Sequence, residues 1–416
     1  MNIGLHQIAS IHNARLKIAG SKSETNRLLL LQALHPNLQL ENAADADDSE
    51  VMRKALSSSE SIIDIHHAGT AMRFLTAYFA IQEGREVVLT GSSRMKERPI
   101  QVLVDALREL GADIAYEEQE GFPPLRIKGK KLDKREVTLA AHVSSQYISA
   151  LLLIASKLES GLQITLEGEI TSVPYIQMTI NLLKQIGIKT EFNQNKIIVF
   201  PTIQHTSVSE LAKQSNNPTI TIESDWSSAS YFYSIITLSE VGTTITLSSF
   251  QPNSLQGDAA LATIYKNFGV ETTFNGNSIT LRKINLQLTI CNLQLNNTPD
   301  IAQTIAVTCF GLGIACHLSG LHTLKIKETD RLTALKNELT KLGANVSITH
   351  DSLALEPSTN IHPNIKIATY NDHRMAMAFA PLALKVPIVI QDSEVVSKSY
   401  PNFWNDLKRI GFVIQD

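Results

Sequence analysis

The same pattern of apolar and polar positions leads into a glycine at five places along the chain. Each copy has an apolar or aromatic residue, two polar residues, a second apolar residue and then the glycine, which is Gly111, Gly187, Gly269, Gly343 or Gly411. Apolar positions three residues apart followed by glycine are typical of the end of an amphipathic helix, where φ becomes positive. Alternating apolar residues follow, as at residues 113–116, and they indicate a strand. The pattern therefore predicts five junctions of helix, glycine and strand.

The five copies lie roughly 70 to 80 residues apart, which is longer than the period of solenoid repeats. Each copy is therefore expected to be a folding unit of several strands and helices. A sixth copy, degenerate and without its glycine, is expected near residues 51–56. Six α/β units in two groups of three would give two similar lobes with a cleft for ligands. The alternative is that helix, glycine and strand follow one another often in any α/β protein.

Length and composition favour a soluble globular protein of two domains. The chain has 416 residues, 43% of them hydrophobic and 19% charged, with a net charge of −3. A chain of this length usually forms more than one core. The near-neutral charge argues against a nucleic-acid binder. Residues 1–9 show no secretion signal and the apolar run at residues 150–155 is too short to cross a bilayer, so we expect a cytoplasmic protein without a membrane partner.

The chain has three cysteines, Cys291, Cys309 and Cys316. They lack metal-type spacing, and an odd count argues against a disulfide framework. Cys309 and Cys316 lie seven residues apart in an apolar stretch, which predicts that both lie on one buried helix face. We assign no chemistry to these thiols.

Lysine and arginine side chains recur beside short polar segments at expected helix starts. These segments are residues 20–27, 68–73, 94–99, 327–331 and 370–377. Backbone N–H groups at a helix start and a fixed cation together form an anion site. The segments occur in both halves of the chain, so they predict an enclosed positive pocket and a substrate that carries phosphate or carboxylate. An anionic ligand would then favour closure of the two lobes.

Two expected helix starts carry more polar groups than a cap requires. Lys22, Ser23 and Arg27 can reach the first turn of one helix, although a solvated basic helix start would look the same. The Ser-Ser-Gln sequence at residues 144–146 precedes an apolar helix, for which one serine would suffice as a cap. The surplus donors would suit a phosphate or a ligand rich in hydroxyl groups.

Two carboxylates stand among cations. Asp300 follows a proline at an expected helix start, and Glu328 lies next to Lys327 and three residues before Arg331. Such carboxylates can share acid and base roles in catalysis. Salt bridging alone would give the same pattern, and the sequence does not separate the two interpretations.

Together these segments resemble the 5-enolpyruvylshikimate-3-phosphate (EPSP) synthase family. The resemblance runs from residue 20 to residue 398 and rests on motifs in the family's order: GSKSETNR, AGTAMR, RMKERPI, SSQY, SVPYI, DWSSASY, QGD, PD, KETDRL and YNDHRMAMAFA.

The resemblance implies an α/β fold of two lobes, the enolpyruvyl transferase fold. Each lobe would be an inside-out α/β barrel of three βαβαββ repeats, and two crossovers would join the lobes. Lobe I would comprise residues 1–20 and 223–416, lobe II would comprise residues 21–222, and the active site would lie in the cleft between them.

The resemblance also implies a reaction of the shikimate pathway. The enolpyruvyl group of phosphoenolpyruvate is transferred to the 5-hydroxyl of shikimate 3-phosphate, which releases phosphate. Members of the family use neither a metal nor an organic cofactor, and they are usually monomeric. The two small-molecule substrates are the expected partners.

Site residues carried over by matching position form two overlapping sets. The set for shikimate 3-phosphate is Lys22, Ser23, Arg27, Ser144, Ser145, Gln146, Ser172, Asp300 and Lys327. The set for phosphoenolpyruvate is Lys22, Gly69, Arg94, Gln146, Arg331, Arg374 and Lys398, with Tyr175 and His373 as supporting residues.

The family's mechanism implies catalytic roles for three of these residues. Asp300 would be the base for the 5-hydroxyl, Glu328 would donate a proton to C3 of phosphoenolpyruvate, and Lys22 would take part. The family's inhibitor glyphosate occupies the phosphoenolpyruvate subsite, where Gly69 leaves room for it, so we expect inhibition by glyphosate.

Three positions depart from the familiar pattern: His67 and Phe74 flank AGTAMR, and Thr323 stands where an asparagine often contacts shikimate 3-phosphate. Two alternatives remain. A UDP-N-acetylglucosamine enolpyruvyl transferase would usually carry a loop cysteine in its first half, and no cysteine precedes Cys291. A non-catalytic anion-binding homologue would be expected to have lost Asp300, Glu328 or Lys22.

Overall fold

The computed structural model describes residues 1–140, 144–168, 170–201, 218–285 and 290–415. The chain divides into two compact units. Unit 1 contains Met1–Ser21 and Glu223–Asp416, and unit 2 contains Lys22–Ile222.

Unit 1 begins with two strands, and unit 2 follows with seven helices and ten strands among the described residues. The first two are β1 (Ile3–Leu5) and β2 (Ala14–Lys17). Unit 2 contains α1 (Lys22–Leu34), β3 (Gln39–Glu41), α2 (Asp47–Ser57), β4 (Ile62–Asp64), α3 (Gly69–Ala80), β5 (Glu86–Thr90), α4 (Ser93–Lys96), α5 (Gln101–Glu109), β6 (Asp113–Tyr116), β7 (Leu125–Lys128), β8 (Glu136–Ala140), α6 (Ser145–Ala155), β9 (Leu162–Glu167), α7 (Val173–Gln185), β10 (Thr190–Asn193), β11 (Lys196–Val199) and β12 (Thr219–Thr221).

The chain then returns to unit 1. Its remaining elements are α8 (Trp226–Leu238), β13 (Thr244–Ser248), α9 (Leu261–Ile264), β14 (Val270–Asn275), β15 (Ser278–Lys283), β16 (Ile290–Gln294), α10 (Ala302–Leu312), β17 (Ala315–Ser319), α11 (Arg331–Lys341), β18 (Val346–Ile348), β19 (Leu353–Leu355), β20 (Ile365–Ile367), α12 (His373–Phe379), β21 (Ile388–Ile390), α13 (Phe403–Arg409) and β22 (Ile414–Gln415). A 3₁₀ turn at Pro299–Ile301 precedes α10, and another at Ser393–Lys398 precedes α13.

Five sheets in the described part of the chain have four strands in the same order. In β4-β5-β7-β6, the first two strands are parallel, and β7 is antiparallel to β5 and to β6. The other four are β8-β9-β11-β10, β2-β13-β15-β14, β16-β17-β19-β18 and β20-β21-β1-β22. A βαβαββ unit produces this order, so the predicted repetition is confirmed.

Two sheets reveal variations on the repeat. In β20-β21-β1-β22 the strand from the N-terminus lies in the middle, where Leu5 pairs with Ile388 on one side and Ile414 on the other. The sixth sheet has only the parallel pair β12 and β3 among the described residues. Helix α2 follows β3 and contains residues 51–56, where the sequence predicts a degenerate copy.

All five predicted glycines end a helical segment with positive φ, between 74° and 109°. At the end of α5 the N–H of Gly111 donates to Arg108 O at 2.9 Å, and the next N–H, of Ala112, donates to Leu107 O at 2.9 Å. Gly187, Gly269, Gly343 and Gly411 show the same pair of hydrogen bonds. This is the Schellman motif, in which a left-handed residue lets the backbone satisfy the last carbonyls of the helix.

In unit 1, helix α10 lies deeper than strand β13. Residues 302–311 of α10 are all buried, whereas β13 alternates between buried and half-buried positions. The sheet that contains β13 therefore has one face toward the core and the other toward solvent, which agrees with the inside-out arrangement. No helix among the described residues has the length and apolar character needed to span a bilayer.

The prediction that two cysteines share a helix face is wrong. Cys309 lies on α10, but Gly313 has a φ of 74° and ends this helix, and Cys316 lies on β17. All three cysteines are buried thiols. Cys291 and Cys316 are paired positions of neighbouring parallel strands.

Candidate active site

Arg331 is the centre of an ionic cluster in unit 1. It is the first residue of α11, and its side chain is 2% exposed. Its guanidinium donates from Nε to Asp372 Oδ2 at 2.6 Å, from Nη1 to Asp300 Oδ1 at 2.9 Å and from Nη2 to Glu328 Oε2 at 2.8 Å. Asp300 and Glu328, the two carboxylates that stand out in the sequence, therefore both accept hydrogen bonds from one guanidinium.

Asp300 has two further cationic neighbours. Lys327 Nζ lies 3.4 Å from Oδ1, and Arg374 Nη2 lies 3.2 Å from Oδ2. Burial by itself raises the pKa of Asp300, but attraction by Arg374, Lys327 and Arg331 is stronger and holds the pKa well below its ordinary value. Asp300 is therefore ionised at neutral pH.

A buried carboxylate at the start of α12 organises the next part of the cluster. Asp372 caps this helix by accepting a hydrogen bond from the N–H of Arg374 at 2.9 Å, and it also binds Arg331. His373 is buried beside it, with Nδ1 3.8 Å from Asp372 Oδ1. Lys398 donates to the carbonyl of Asn371 at 2.6 Å. Four cations that the sequence predicts thus lie among carboxylates and carbonyls: Arg331, Arg374, Lys327 and Lys398. The ionic cluster therefore contains negative as well as positive charge.

Asp258 adds a carboxylate for which the sequence suggested no role. It is 3% exposed and accepts a hydrogen bond from the hydroxyl of Ser227, and Arg374 Nη2 lies 3.4 Å from the same hydroxyl. Burial, and then repulsion by Asp300, raise the pKa of Asp258 from 3.8 to about 7. Among the described residues, nothing donates a hydrogen bond to its Oδ1.

In unit 2, Lys22 pairs with an acid from the next helix. Lys22 is the first residue of α1, and its Nζ donates to Asp48 Oδ2 at 3.0 Å. Asp48 belongs to the first turn of α2 and is also buried. The sequence pattern predicts the cation but not this partner, 26 residues away.

Arg27 is enclosed by protein groups. Its side chain donates to Thr179 Oγ1 at 2.7 Å, to Ser23 O at 2.8 Å and to Ser149 Oγ at 3.1 Å. Burial lowers the pKa of Arg27 to about 10. The alternative of a solvated basic helix start is wrong for this residue, which is 2% exposed. The carbonyl of Tyr175 also accepts from Arg27, at 3.4 Å.

The starts of α3 and α6 are linked in unit 2. Gln146 Nε2 donates to Thr70 Oγ1 at 3.2 Å, so the Ser-Ser-Gln segment lies beside Gly69. Ser144 caps α6 by accepting from the N–H of Gln146 at 3.3 Å, and Ser145 is buried. A methyl group at Gly69 would lie 2.5 Å from Nη1 of Arg98. The glycine therefore permits the close approach of a buried arginine.

Two other predicted residues, Ser172 and Arg94, and the departing position His67 have distinct environments. Ser172 precedes α7 with a left-handed backbone, at a φ of 55°. Arg94 is 45% exposed and donates to Glu97 at 2.8 Å from the short helix α4. His67 lines a cavity of about 520 Å³ that also includes Asp48 and the flank of α2.

Sequence reasoning missed four groups in these clusters: Asp48, Ser227, Asp258 and Asp372. Ser227, Asp258 and Asp372 do stand inside motifs that carry the family resemblance, DWSSASY, QGD and YNDHR, and this is the signal by which they could have been found. Their roles depend on contacts with residues of other elements, and no local pattern encodes those contacts.

Comparison with known proteins gives consistent results. Residues 40–407 match the family model described as EPSP synthase (3-phosphoshikimate 1-carboxyvinyltransferase). A 3-phosphoshikimate 1-carboxyvinyltransferase from Bacteroides fragilis is 44% identical over 407 residues, which is 97% of this chain and 96% of the relative. One from Colwellia psychrerythraea is 34% identical, over 96% of this chain and 97% of the relative.

Solved structures show similarity of fold. An EPSP synthase from Acinetobacter baumannii superimposes with a TM-score of 0.76 at 20% identity, covering 100% of this chain and 99% of the other. The enolpyruvyl transferase NikO from Streptomyces tendae gives 0.74 at 12% identity, with 100% and 98% covered. At these identities the match shows the two-lobed enolpyruvyl transferase fold.

Proposed function

Because the chain belongs to the EPSP synthase (3-phosphoshikimate 1-carboxyvinyltransferase) family, we propose that it catalyses enolpyruvyl transfer from phosphoenolpyruvate to the 5-hydroxyl of shikimate 3-phosphate. The hydroxyl oxygen forms a bond to C2 while C3 gains a proton, which gives a tetrahedral intermediate. The C2–O bond to phosphate then breaks, a proton leaves C3, and inorganic phosphate departs. The observation that carries this proposal is that Asp300 and Glu328 share the Arg331 guanidinium.

Asp300 is the proposed base for the 5-hydroxyl, and Glu328 is the proposed donor to C3. The depressed pKa of Asp300 keeps it ionised and ready to accept a proton, but three cations also make it a weak base. An anionic substrate that binds Arg331, Arg374 and Lys327 would partly neutralise their positive charge and weaken their attraction on Asp300. Its pKa then rises toward the range in which proton transfer is efficient.

Electrostatic stabilisation is the proposed role of the remaining cations. Phosphoenolpyruvate would contact Lys22, Gly69, Arg94, Gln146, Arg331, Arg374 and Lys398, with Tyr175 and His373 in support. Shikimate 3-phosphate would contact Lys22, Ser23, Arg27, Ser144, Ser145, Gln146, Ser172, Asp300 and Lys327. Ion pairs hold several of these cations in place before a substrate arrives, as at the partly buried pair of Lys22 and Asp48, so little reorganisation is needed during the reaction.

The test is release of inorganic phosphate from phosphoenolpyruvate with one of two acceptors, shikimate 3-phosphate or UDP-N-acetylglucosamine. We expect release only with shikimate 3-phosphate. Asp300→Asn and Glu328→Gln should each lower kcat by about 10²- to 10⁴-fold, the usual contribution of a general acid or base. Glu271→Gln, an exposed carboxylate on β14, is the matched control and should keep full activity. No release with either acceptor would contradict the proposal.

The protein is further proposed to act as a monomer in the cytoplasm. The family resemblance supports the first statement, and three buried cysteines in the thiol form fit a reducing compartment. Light scattering coupled to size exclusion would detect a dimer, and cell fractionation would detect a location other than the cytosol.

A further inference from the structure

The loop before α12 has an unusual backbone. Tyr370 and Asn371 are consecutive residues with φ of 54° and 55°. This left-handed region is unfavourable for residues that have a Cβ atom, and such strain persists only where surrounding contacts hold it. The loop leads directly into Asp372, His373 and Arg374 of the candidate active site.

Glu338, on α11, makes the contacts that hold this loop. Its side chain is fully buried. The proposed function assigns it no contact with a substrate. Oε1 accepts from the hydroxyl of Tyr370 at 2.6 Å, and Oε2 accepts from the backbone N–H of Ala368 at 3.1 Å. Lys341 donates to both oxygens, at 2.8 and 2.7 Å, and supplies the compensating charge.

A second contact joins the same helix to the same loop. Arg331 and Glu338 are seven residues apart on α11, close to two helical turns, so both side chains leave one face of the helix. Arg331 binds Asp372, and Glu338 binds Ala368 and Tyr370. The loop is thus fixed at its start and at its end, and the carbonyl of Asn371 between these points accepts from Lys398.

From this geometry we infer that Glu338 and Tyr370 are positioning residues: they hold Tyr370 and Asn371 in the left-handed conformation and thereby place Lys398, Asp372 and Arg374. The inference rests on the proposed function, in which Arg374 and Lys398 bind phosphoenolpyruvate. Neither Glu338 nor Tyr370 touches a reacting group. Substitution of either residue should therefore weaken the binding of phosphoenolpyruvate and leave the proton transfers unchanged.

Tyr370→Phe removes only the hydroxyl, and Glu338→Gln keeps the side-chain volume but removes the charge. Tyr233→Phe is the control, because Tyr233 is a tyrosine of the same unit whose hydroxyl also forms one hydrogen bond to a side chain, that of Thr272 on β14, at 2.9 Å. In the two loop variants, we expect KM for phosphoenolpyruvate to rise about five- to ten-fold, as for the loss of one buried hydrogen bond. KM for shikimate 3-phosphate should stay within about two-fold.

Hydrogen exchange gives a readout that does not depend on catalysis. Amides of residues 368–373 should exchange faster in Tyr370→Phe and Glu338→Gln than in Tyr233→Phe. Unchanged exchange, or faster exchange with unchanged KM for phosphoenolpyruvate, would overturn the inference. A merely structural role would lower the melting temperature and the active fraction without changing KM. If the wild-type protein releases no phosphate, the proposed function fails, while exchange still reports whether these residues hold the loop.

Discussion

Arg331 illustrates how one side chain organises a site. A guanidinium presents donors in a fixed plane, so it can bind carboxylates from several directions at once. In this protein it joins Asp300, Glu328 and Asp372, which are up to 41 residues away in sequence. The motif KETDR predicts the cation and its neighbour Glu328, since both lie in one short segment. It does not predict Asp372, because that contact depends on how α11 and α12 pack.

Asp258 gives a prediction for pH dependence. Its pKa is raised from 3.8 to about 7 in the folded protein, so the folded state keeps this proton in a range where the unfolded chain releases it. The stability that the protonated carboxyl contributes is complete below about pH 4 and is lost as the pH rises to about 7. The Asp258→Asn variant has no carboxyl group to ionise at this position. Its free energy of unfolding relative to that of wild type should therefore increase from pH 4 to pH 7.

Urea unfolding at several pH values measures this difference. A shift of roughly three pKa units, at about 1.4 kcal/mol each, sets an upper limit of about 4 kcal/mol for the improvement. The depressed pKa of Asp300 lowers the stability of the folded protein at low pH. This effect is present in both proteins, so it largely cancels in the comparison. A difference that does not change with pH would show that Asp258 titrates normally.

At the scale of elements, the helix ends are the features that the sequence predicts best. Apolar spacing and one glycine specify a Schellman motif locally, and all five examples have it. The helix starts at Lys22, Gly69 and Arg331 are also local features, since their polar residues and glycine precede apolar runs. The prediction for Cys316 failed because apolar residues continue across Gly313, and spacing alone did not reveal that the helix ends there.

Two of these glycines can be compared directly. Gly187 has a φ of 84° and open space where a Cβ would project, whereas at Gly111, with a φ of 109°, a Cβ would lie 2.5 Å from Asp133 Oδ1. Gly187→Ala should therefore destabilise the fold by about 1 kcal/mol, from backbone strain alone. Gly111→Ala should cost more, because the side chain of Asp133 must also move. Equal melting temperatures for the two variants would contradict this account.

At the scale of the whole molecule, the sequence predicts the repeat but not the partners of the terminal strands. Short segments such as β1 have weak patterns, and their place in a sheet is set by strands hundreds of residues away. Leu5 on β1 is 1% exposed and lies between β21 and β22. Leu166 on β9 is also 1% exposed, in a sheet of unit 2.

Alanine substitutions at Leu5 and Leu166 test whether unit 1 and unit 2 unfold independently. Leu5→Ala and Leu166→Ala should each cost about 3 kcal/mol through the lost burial and the cavity left behind. Hydrogen exchange should accelerate mainly in unit 1 for Leu5→Ala and mainly in unit 2 for Leu166→Ala. Equal acceleration in both units for either variant would show that they unfold together.

The position of β1 in the middle of its sheet also has a consequence for biosynthesis. Unit 2 is continuous in sequence, so all its residues have left the ribosome while most of unit 1 is still to be made. Domains generally fold as units during synthesis. Strand β2 must wait for β13, and β1 must wait for β21 and β22, all of which follow unit 2 in sequence. The two strands are therefore translated before unit 2 but find their native neighbours only after it, and a nascent chain exposes their apolar side chains to chaperones during that interval.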